Sequence, residues 1–166
     1  EQGWIGKGFA HEQTMHIPLL MRYPKRIPAG RVVNDMARII DIAPTVLDYA
    51  DVAPDPAMVG TSLRAQIEGS VKRDASPSDL FFEYWYYPNR GQREAHVALR
   101  TERHKLIRWL DRNETRIYDL ARDPHETINL ADDPEHAALR TELEQRLFQA
   151  QNDIDWRPRE LATVQQ

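Results

Sequence analysis

The 166-residue sequence contains no cysteine, which excludes disulfide bonds and thiolate metal ligands. It also lacks any apolar run approaching the roughly 20 residues that a membrane-spanning helix needs, so we expect no membrane partner. A basic excess is missing as well, because 22 Lys and Arg stand against 26 Asp and Glu, for a net charge of -4. No nucleic-acid partner is therefore expected. A hydrophobic share of 41% is enough to build a core.

One segment near the start holds a lysine between two glycines. Gly6 and Gly8 flank Lys7, so the backbone can approach a ligand closely there. The lysine is a compact positive charge that suits an anionic oxygen. On composition alone, a solvated turn lysine is the competing interpretation. Residues 17–21 are short, apolar and closed by Tyr23-Pro24, which predicts a buried strand.

The first half of the chain also predicts helices. Asp41 is a candidate N-cap, and Pro44 is tolerated in the first turn of the helix that follows. The apolar residues that recur at helical spacing predict one buried face, made of Ile42, Val46, Leu47 and Ala50. Ser62 is the candidate N-cap of a short helix that ends near Glu68.

The second half predicts strands followed by a helix. The expected strands are 80–87, 95–102, 105–110 and 115–120, and the breaks between the last three have hairpin lengths. Consecutive short strands favour an antiparallel meander that needs a cover on one face. Residues 134–152 provide that cover as an amphipathic helix with Asp133 at the N-cap, and its apolar stripe comprises Ala138, Leu139, Leu143, Leu147 and Phe148.

Several landmarks in fixed order resemble the sulfatase family. They are Gly3-x-x-x-Lys7, Glu12, Pro18-Leu19-Leu20, Pro24-Lys25-x-Ile27-x-x-Gly30, Asp41-x-x-Pro44-Thr45-x-Leu47, Gly60-x-Ser62-Leu63, residues 98–107 and residues 118–130. The last is the more specific of the two strand-region segments, because Tyr-Asp-Leu, Asp-Pro, Glu and Asn-Leu follow one another there. From the residues themselves, Asp123-Pro124 predicts a tight turn, and the Asn129 amide is expected to bond loop backbone.

The resemblance implies an α/β fold, namely the C-terminal portion of an alkaline-phosphatase-like sulfatase. Residues 1–69 are expected to be the C-terminal part of the catalytic α/β domain and to contribute part of a larger mixed sheet. Residues 70–78 are expected to be a linker, and residues 79–152 a subdomain with a four-stranded antiparallel sheet packed by a helix. Residues 153–166 are expected to be an irregular tail. The start, Glu1-Gln2-Gly3, is neither an initiator methionine nor a signal peptide, so we expect a piece of a longer protein.

The resemblance also implies a site. Lys7 corresponds to the lysine that contacts the sulfate, which makes it the candidate catalytic and substrate-binding residue. His11, His96 and Arg100 are the other candidate substrate-binding residues. An even spacing of four along a strand puts His96 and Arg100 on one face, where they suit an anion or a sugar hydroxyl. An exposed polar strand face is the competing interpretation.

The implied cofactors are a calcium ion and a formylglycine nucleophile, both supplied by the remainder of the enzyme. Neither the Cys/Ser-x-Pro/Ala-x-Arg motif nor a set of metal ligands occurs in this sequence. The expected partners are a glycan, aryl or choline sulfate ester and the N-terminal catalytic portion. A phosphate or phosphonate ester hydrolase of the same superfamily remains an alternative. So does a non-catalytic module that binds a sulfated glycan or a protein.

Overall fold

A computed structural model describes residues 8–70, 79–84 and 95–154. The chain divides into two compact units, one containing residues 1–17 with 79–166 and the other residues 18–78. Residues 8–17 therefore pack with the second half of the sequence, across a long separation along the chain. No helix in the described part of the chain is long and apolar enough to cross a membrane.

The first unit is built on a four-stranded antiparallel meander, as the sequence predicts. The strands are β1 (Asp79–Tyr84), β2 (His96–Thr101), β3 (His104–Trp109) and β4 (Glu114–Asp119). They lie in the order β1-β2-β3-β4, and every neighbouring pair is antiparallel. Only Glu102 and Arg103 separate β2 from β3, so these two strands form a tight hairpin.

One face of the sheet is covered by the C-terminal helix. A short 3-10 turn, Pro134–His136, leads into α4 (Ala137–Asp153), and the Asp133 side chain accepts a hydrogen bond from Glu135 N, which confirms the predicted N-cap. The core on this face consists of Val97, Leu99, Leu106, Ile117, Ala131, Leu143 and Leu147. The predictions for Ala138 and Phe148 are wrong, because both are exposed, Phe148 by 65%.

The opposite face of the sheet is covered by the N-terminal segment, residues 8–17, which includes the single-turn helix α1 (Glu12–Met15). The core between them consists of Phe9, Ala10, Ala98, Ile107, Trp109 and Tyr118. Alternate residues of β2 and β3 thus enter two different cores, so both faces of the sheet are buried. A meander of this size needs such packing, because a small sheet is not stable alone.

The second unit contains a 3-10 turn (Ile39–Asp41), α2 (Ile42–Tyr49) and α3 (Arg64–Glu68). The predicted helices are confirmed, and Asp41 stands at the N-cap position of α2, although its carboxylate makes no hydrogen bond to that helix. It accepts hydrogen bonds from the backbone of Arg38 and Thr61, both at 2.9 Å, and from the Arg38 guanidinium. The fully buried Asp41 therefore joins two segments of this unit, the turn that begins at Arg38 and the 60–63 loop.

The buried face predicted for α2 is also wrong. Pro44 and Thr45 are its buried residues, whereas Val46 is 55% exposed. Two hydrogen bonds hold the Thr45 side chain inside the unit. Its hydroxyl donates to Asp41 O at 2.5 Å and accepts from Leu63 N at 2.9 Å. Polar contacts to the 60–63 loop, rather than apolar periodicity, decide which side of this helix faces inward.

The strand predicted at residues 17–21 is not formed. This stretch has no regular secondary structure, and Leu20 is 87% exposed. The physical reason is the lack of a partner, because within the described residues 18–70 no strand lies beside it to pair its backbone groups. The predicted linker and tail fall almost wholly outside the described residues, and the domain boundaries of the longer protein stay a prediction.

Candidate functional site

The candidate site lies at the N-terminal end of the described residues, next to Gly8. Lys7 itself lies outside the described residues, so its role stays a prediction. Gly8 is described, and a Cβ built on it would stand 3.1 Å from the Tyr84 hydroxyl. That contact is tighter than side chains normally accept, so a larger residue there would displace the tyrosine. Gly8 therefore lies close against Tyr84 of β1, and the approach of the backbone near Lys7 to a ligand stays a prediction.

His11 is buried on the sheet, with 4% of its surface exposed. Its ring lies 6.0 Å from that of Tyr118 and 6.2 Å from that of Phe9. Burial, together with the positive charges of Lys105 and Arg116, lowers the pKa of His11 to about 4. At neutral pH the imidazole is therefore uncharged. A neutral ring can exchange a hydrogen bond with a hydroxyl, but it does not offer a cation to a sulfate.

This burial predicts acid sensitivity. The pKa of His11 in the folded state, about 4, lies below the ordinary value of 6.5, so the unfolded chain binds the proton more readily. The neutral His11 therefore contributes about 3 kcal/mol to the free energy of unfolding above pH 6.5, and this contribution is lost as the pH falls toward 4. We expect His11→Gln to flatten the fall in unfolding free energy over this window, measured by urea titration of the full-length protein. Equal slopes for variant and wild type would contradict this.

His96 opens β2 and is fully buried on the same face as His11. Its ring is stacked with that of Tyr84 at 5.3 Å and with that of Phe9 at 6.1 Å, and it lies 5.6 Å from that of Trp109. The imidazole is thus enclosed by aromatic side chains from β1, β3 and the N-terminal segment. This environment ties the position of His96 to that of residues 8–11. Its predicted contact with substrate stays a prediction.

Arg100 lies on the same face of β2 as His96, as predicted. It forms an ion pair with Glu12 of the N-terminal segment. Its guanidinium stands 3.5 Å from Glu12 Oε2 and donates to the Glu102 carbonyl at 3.0 Å. Arg100 is therefore engaged with a carboxylate of its own chain. The structure brings His11 and His96 together around Phe9, and it directs Arg100 to Glu12 instead.

Glu12 also belongs to a buried cluster that sequence reasoning missed. Lys105 Nζ lies 2.6 Å from Glu12 Oε1 and 2.9 Å from Glu126 Oε1, and the Lys105 and Glu126 side chains are both fully buried. Glu126 Oε2 accepts a hydrogen bond from Glu12 N at 2.7 Å. We call Glu12, Arg100, Lys105 and Glu126 the sheet-face ion cluster. Burial would raise the pKa of Glu12, but Lys105 and Arg100 hold it below its ordinary value.

A signal for Lys105 was present in the sequence. It alternates with Ile107 and Trp109 along β3, so it points to the same face as two buried side chains. A lysine at such a position needs a buried carboxylate partner. The identity of that partner was not readable, because Glu12 and Glu126 lie far away in the sequence.

The loop that carries Glu126 is held by its own hydrogen bonds. The Asp123 carboxylate accepts from Thr127 N at 2.7 Å and from Ile128 N at 2.8 Å. Asn129 Oδ1 accepts from Ile117 N at 2.9 Å and from Ala131 N at 3.0 Å. The predicted turn and the predicted amide contact are both confirmed. They fix the loop beside β4.

The residues that the structure describes offer no metal site. Within 8–70, 79–84 and 95–154, no group of three His, Asp or Glu side chains is arranged to hold an ion. Glu12 and Glu126 converge, but a lysine ammonium already lies between them.

Comparisons with known proteins place the chain among sulfatases. It is 35% identical to an N-acetylglucosamine-6-O-sulfatase of Bacteroides thetaiotaomicron over 99% of this chain and 30% of the relative. It is 30% identical to a Δ4,5-hexuronate-2-O-sulfatase of the same organism, over 80% of this chain and 27% of the relative. The chain thus spans about a third or less of the length of these relatives.

Solved structures agree. BT4656, in complex with its substrate D-glucosamine-2-N,6-O-disulfate, superimposes with a TM-score of 0.86 at 34% identity, covering 93% of this chain and 32% of that one. A phosphonate monoester hydrolase of Agrobacterium radiobacter is more distant, with a TM-score of 0.58 at 26% identity over 68% of this chain and 24% of that one.

The family model for the C-terminal region of N-sulphoglucosamine sulphohydrolase matches residues 1–153. This match covers nearly the whole chain and includes both units that the fold contains. The chain therefore belongs to the N-sulphoglucosamine sulphohydrolase C-terminal family, and it corresponds to the C-terminal portion of sulfatases.

Proposed function

We propose that this chain is the C-terminal part of a sulfatase that acts on a sulfated amino sugar or glycan. The observation that carries the proposal is the likeness, over nearly the full chain, to an N-acetylglucosamine-6-O-sulfatase and to a structure holding a disulfated glucosamine. The phosphonate hydrolase likeness is weaker in identity, in coverage and in TM-score. Sulfate ester hydrolysis is therefore the preferred reaction.

In this proposal, Lys7 contributes the ammonium that neutralises charge on the sulfate oxygens. Attack at sulfur places negative charge on these oxygens and on the leaving oxygen, and a preorganised cation stabilises that charge best in a site that excludes water. The described residues support such preorganisation, because Phe9, Ala10 and His11 are buried on the sheet directly after Lys7. His96 and Arg100 act from the same sheet face as the wall of the substrate pocket.

The calcium ion and the formylglycine belong to the proposal as groups carried by the rest of the enzyme. Bound there, they supply a Lewis acid and a nucleophile. The described residues of this chain do not fit a metal site, and the sequence has no Cys/Ser-x-Pro/Ala-x-Arg motif in which formylglycine could form. This chain's own contribution is the sulfate-facing lysine and its rigid support.

The test is turnover by the full-length protein. We expect release of sulfate from 6-O-sulfated N-acetylglucosamine, at a kcat/KM about a hundredfold above that for the matching 6-phosphate. The 166-residue chain alone should release none, because it carries no nucleophile of this class. Preference for the phosphate ester would instead favour a phosphohydrolase. Binding of the sulfated sugar without turnover by the full-length protein would favour a binding module.

A further inference from the structure

We infer that the sheet-face ion cluster positions the Lys7 segment for the reaction, with Lys105 and Glu126 as positioning residues. The inference rests on the proposed function, and it concerns two residues to which the family resemblance assigns no role at the site. It begins from the location of Glu12, which follows Lys7 by five residues and forms the first residue of α1. Whatever fixes Glu12 limits the movement of the segment between the two.

Glu12 is fixed in two ways at once. Its carboxylate pairs with Lys105 Nζ at 2.6 Å, and its backbone N–H donates to Glu126 Oε2 at 2.7 Å. The second oxygen of Glu126 contacts the same ammonium at 2.9 Å. Lys105 and Glu126 therefore hold both the side chain and the main chain of one residue. A contact to the main chain fixes the path of the segment and not only the position of a side chain.

The burial of this cluster argues for a positioning role beyond stability. Buried ion pairs lose most of their attraction to desolvation, so apolar residues of similar volume would stabilise the fold about as well. The apolar contacts of Phe9 and Ala10 already bury the segment, but apolar packing is non-directional and permits small shifts. The hydrogen bond from Glu12 N to the Glu126 carboxylate is directional, and it defines the register of the segment on the sheet.

The loop at Glu126 carries a second, independent sign of this role. Glu126 has a φ of 55°, in the left-handed region that a glutamate rarely occupies. This conformation is unfavourable for a residue with a side chain, and it persists where surrounding bonds over-determine it. Those bonds are present, because Asp123 anchors the loop on both sides of Glu126. The strained backbone delivers the carboxylate to Lys105 and Glu12.

The experiment uses the full-length protein and two matched controls. We expect Lys105→Met to lower kcat on the sulfated sugar at least about tenfold, while KM changes less than threefold. The reason is that Lys7 is then misplaced relative to the sulfate in the transition state. Arg108→Met is the first control: Arg108 lies on the same strand but pairs with Glu144 on the helix face, at 2.8 Å. It should leave kcat within twofold of wild type.

Leu147→Ala is the second control, because it removes a buried core side chain on the helix face. It should lower Tm at least as much as Lys105→Met while the folded enzyme keeps its kcat. Adding Glu126→Gln to Lys105→Met removes the charge of the buried carboxylate that loses its lysine neighbour, so the double variant should recover part of the lost kcat. Wild-type kcat in folded Lys105→Met, or an equal loss in Leu147→Ala, would overturn the inference.

Amide exchange separates this inference from the proposed function. In Lys105→Met, amides of residues 9–16 should exchange at least about tenfold faster than in wild type, and in Leu147→Ala they should not. Should the wild-type protein release no sulfate, the proposed function fails, and exchange alone decides whether the cluster anchors the segment. Unchanged exchange in Lys105→Met overturns the anchoring itself.

Discussion

Lys7→Ala in the full-length protein is expected to lower kcat for sulfate release by a factor of about 10²–10³. Removal of one preorganised group that stabilises developing oxyanion charge has this effect in other acyl- and group-transfer enzymes. KM should rise less than kcat falls, because the charge to be stabilised is largest in the transition state. Initial rates on 6-O-sulfated N-acetylglucosamine, with sulfate release as the readout, measure both constants.

Lys25→Ala is the matched control for this experiment. Lys25 lies in an exposed turn of the second unit, so its loss removes the same charge without touching the proposed site. It should stay within twofold of wild type. Lys7→Arg should recover only a small part of the activity, because a planar guanidinium does not replace a compact ammonium. A Lys7→Ala variant as active as Lys25→Ala would remove Lys7 from the mechanism.

Asp41→Ala is expected to destabilise the second unit by about 3 kcal/mol, since it removes a buried charge partner. The substitution leaves the Arg38 guanidinium unpaired on a side chain that is 25% exposed, together with the backbone N–H groups of Arg38 and Thr61. Amide exchange of residues 42–49 and 60–68 should accelerate about a hundredfold, because each factor of ten corresponds to about 1.4 kcal/mol.

Asp55→Ala serves as the control for Asp41. Asp55 also accepts a backbone hydrogen bond, from Ala57 N at 2.8 Å, but on an exposed loop. Water replaces such a bond readily, so the change should cost a few tenths of a kcal/mol. If Asp41→Ala and Asp55→Ala alter exchange to the same small extent, the carboxylate of Asp41 does not join the segments of this unit.

The meander and its covering helix were predictable because their signals are local. Each strand alternates residue by residue, and the turns between β2, β3 and β4 are short enough to specify the pairing. Asp133 and Asp123 bond to residues within a few positions of themselves, and Asn129 accepts one of its two bonds from the nearby Ala131. Contacts between residues that are close in the sequence depend on which residue types stand at a fixed spacing, so sequence patterns predict them.

The second unit shows where patterns fail. Apolar residues at helical spacing in α2 predicted Val46 as buried, whereas Thr45 is buried in its place. The side chain of Thr45 satisfies buried backbone groups on two segments, which no periodicity encodes. The apolar stretch at residues 17–21 likewise predicted a strand, but a strand forms only beside a neighbour that pairs with it.

The candidate site was partly predictable for a similar reason. The shared face of His96 and Arg100 follows from the pleat of a single strand. The involvement of Lys105 and Glu126 does not, because Glu12 and Glu126 are 114 residues apart in the sequence. Their contact depends on the whole first unit, so only the fold reveals that the N-terminal segment is held by charge.

That separation has a consequence for the order of folding. Hairpins join β2 to β3 and β3 to β4 across short loops, so the sheet closes quickly. Docking of residues 8–17 requires closure of a much longer loop, since Glu12 is 88 residues from Arg100 and 114 from Glu126. The segment should therefore dock after the sheet has formed. During synthesis its contact with Glu126 forms only after Glu126 has left the ribosome. Glu12 variants should accordingly speed unfolding while leaving the folding rate nearly unchanged. Among the described parts of this unit, residues 8–17 are then expected to dock last and to detach first.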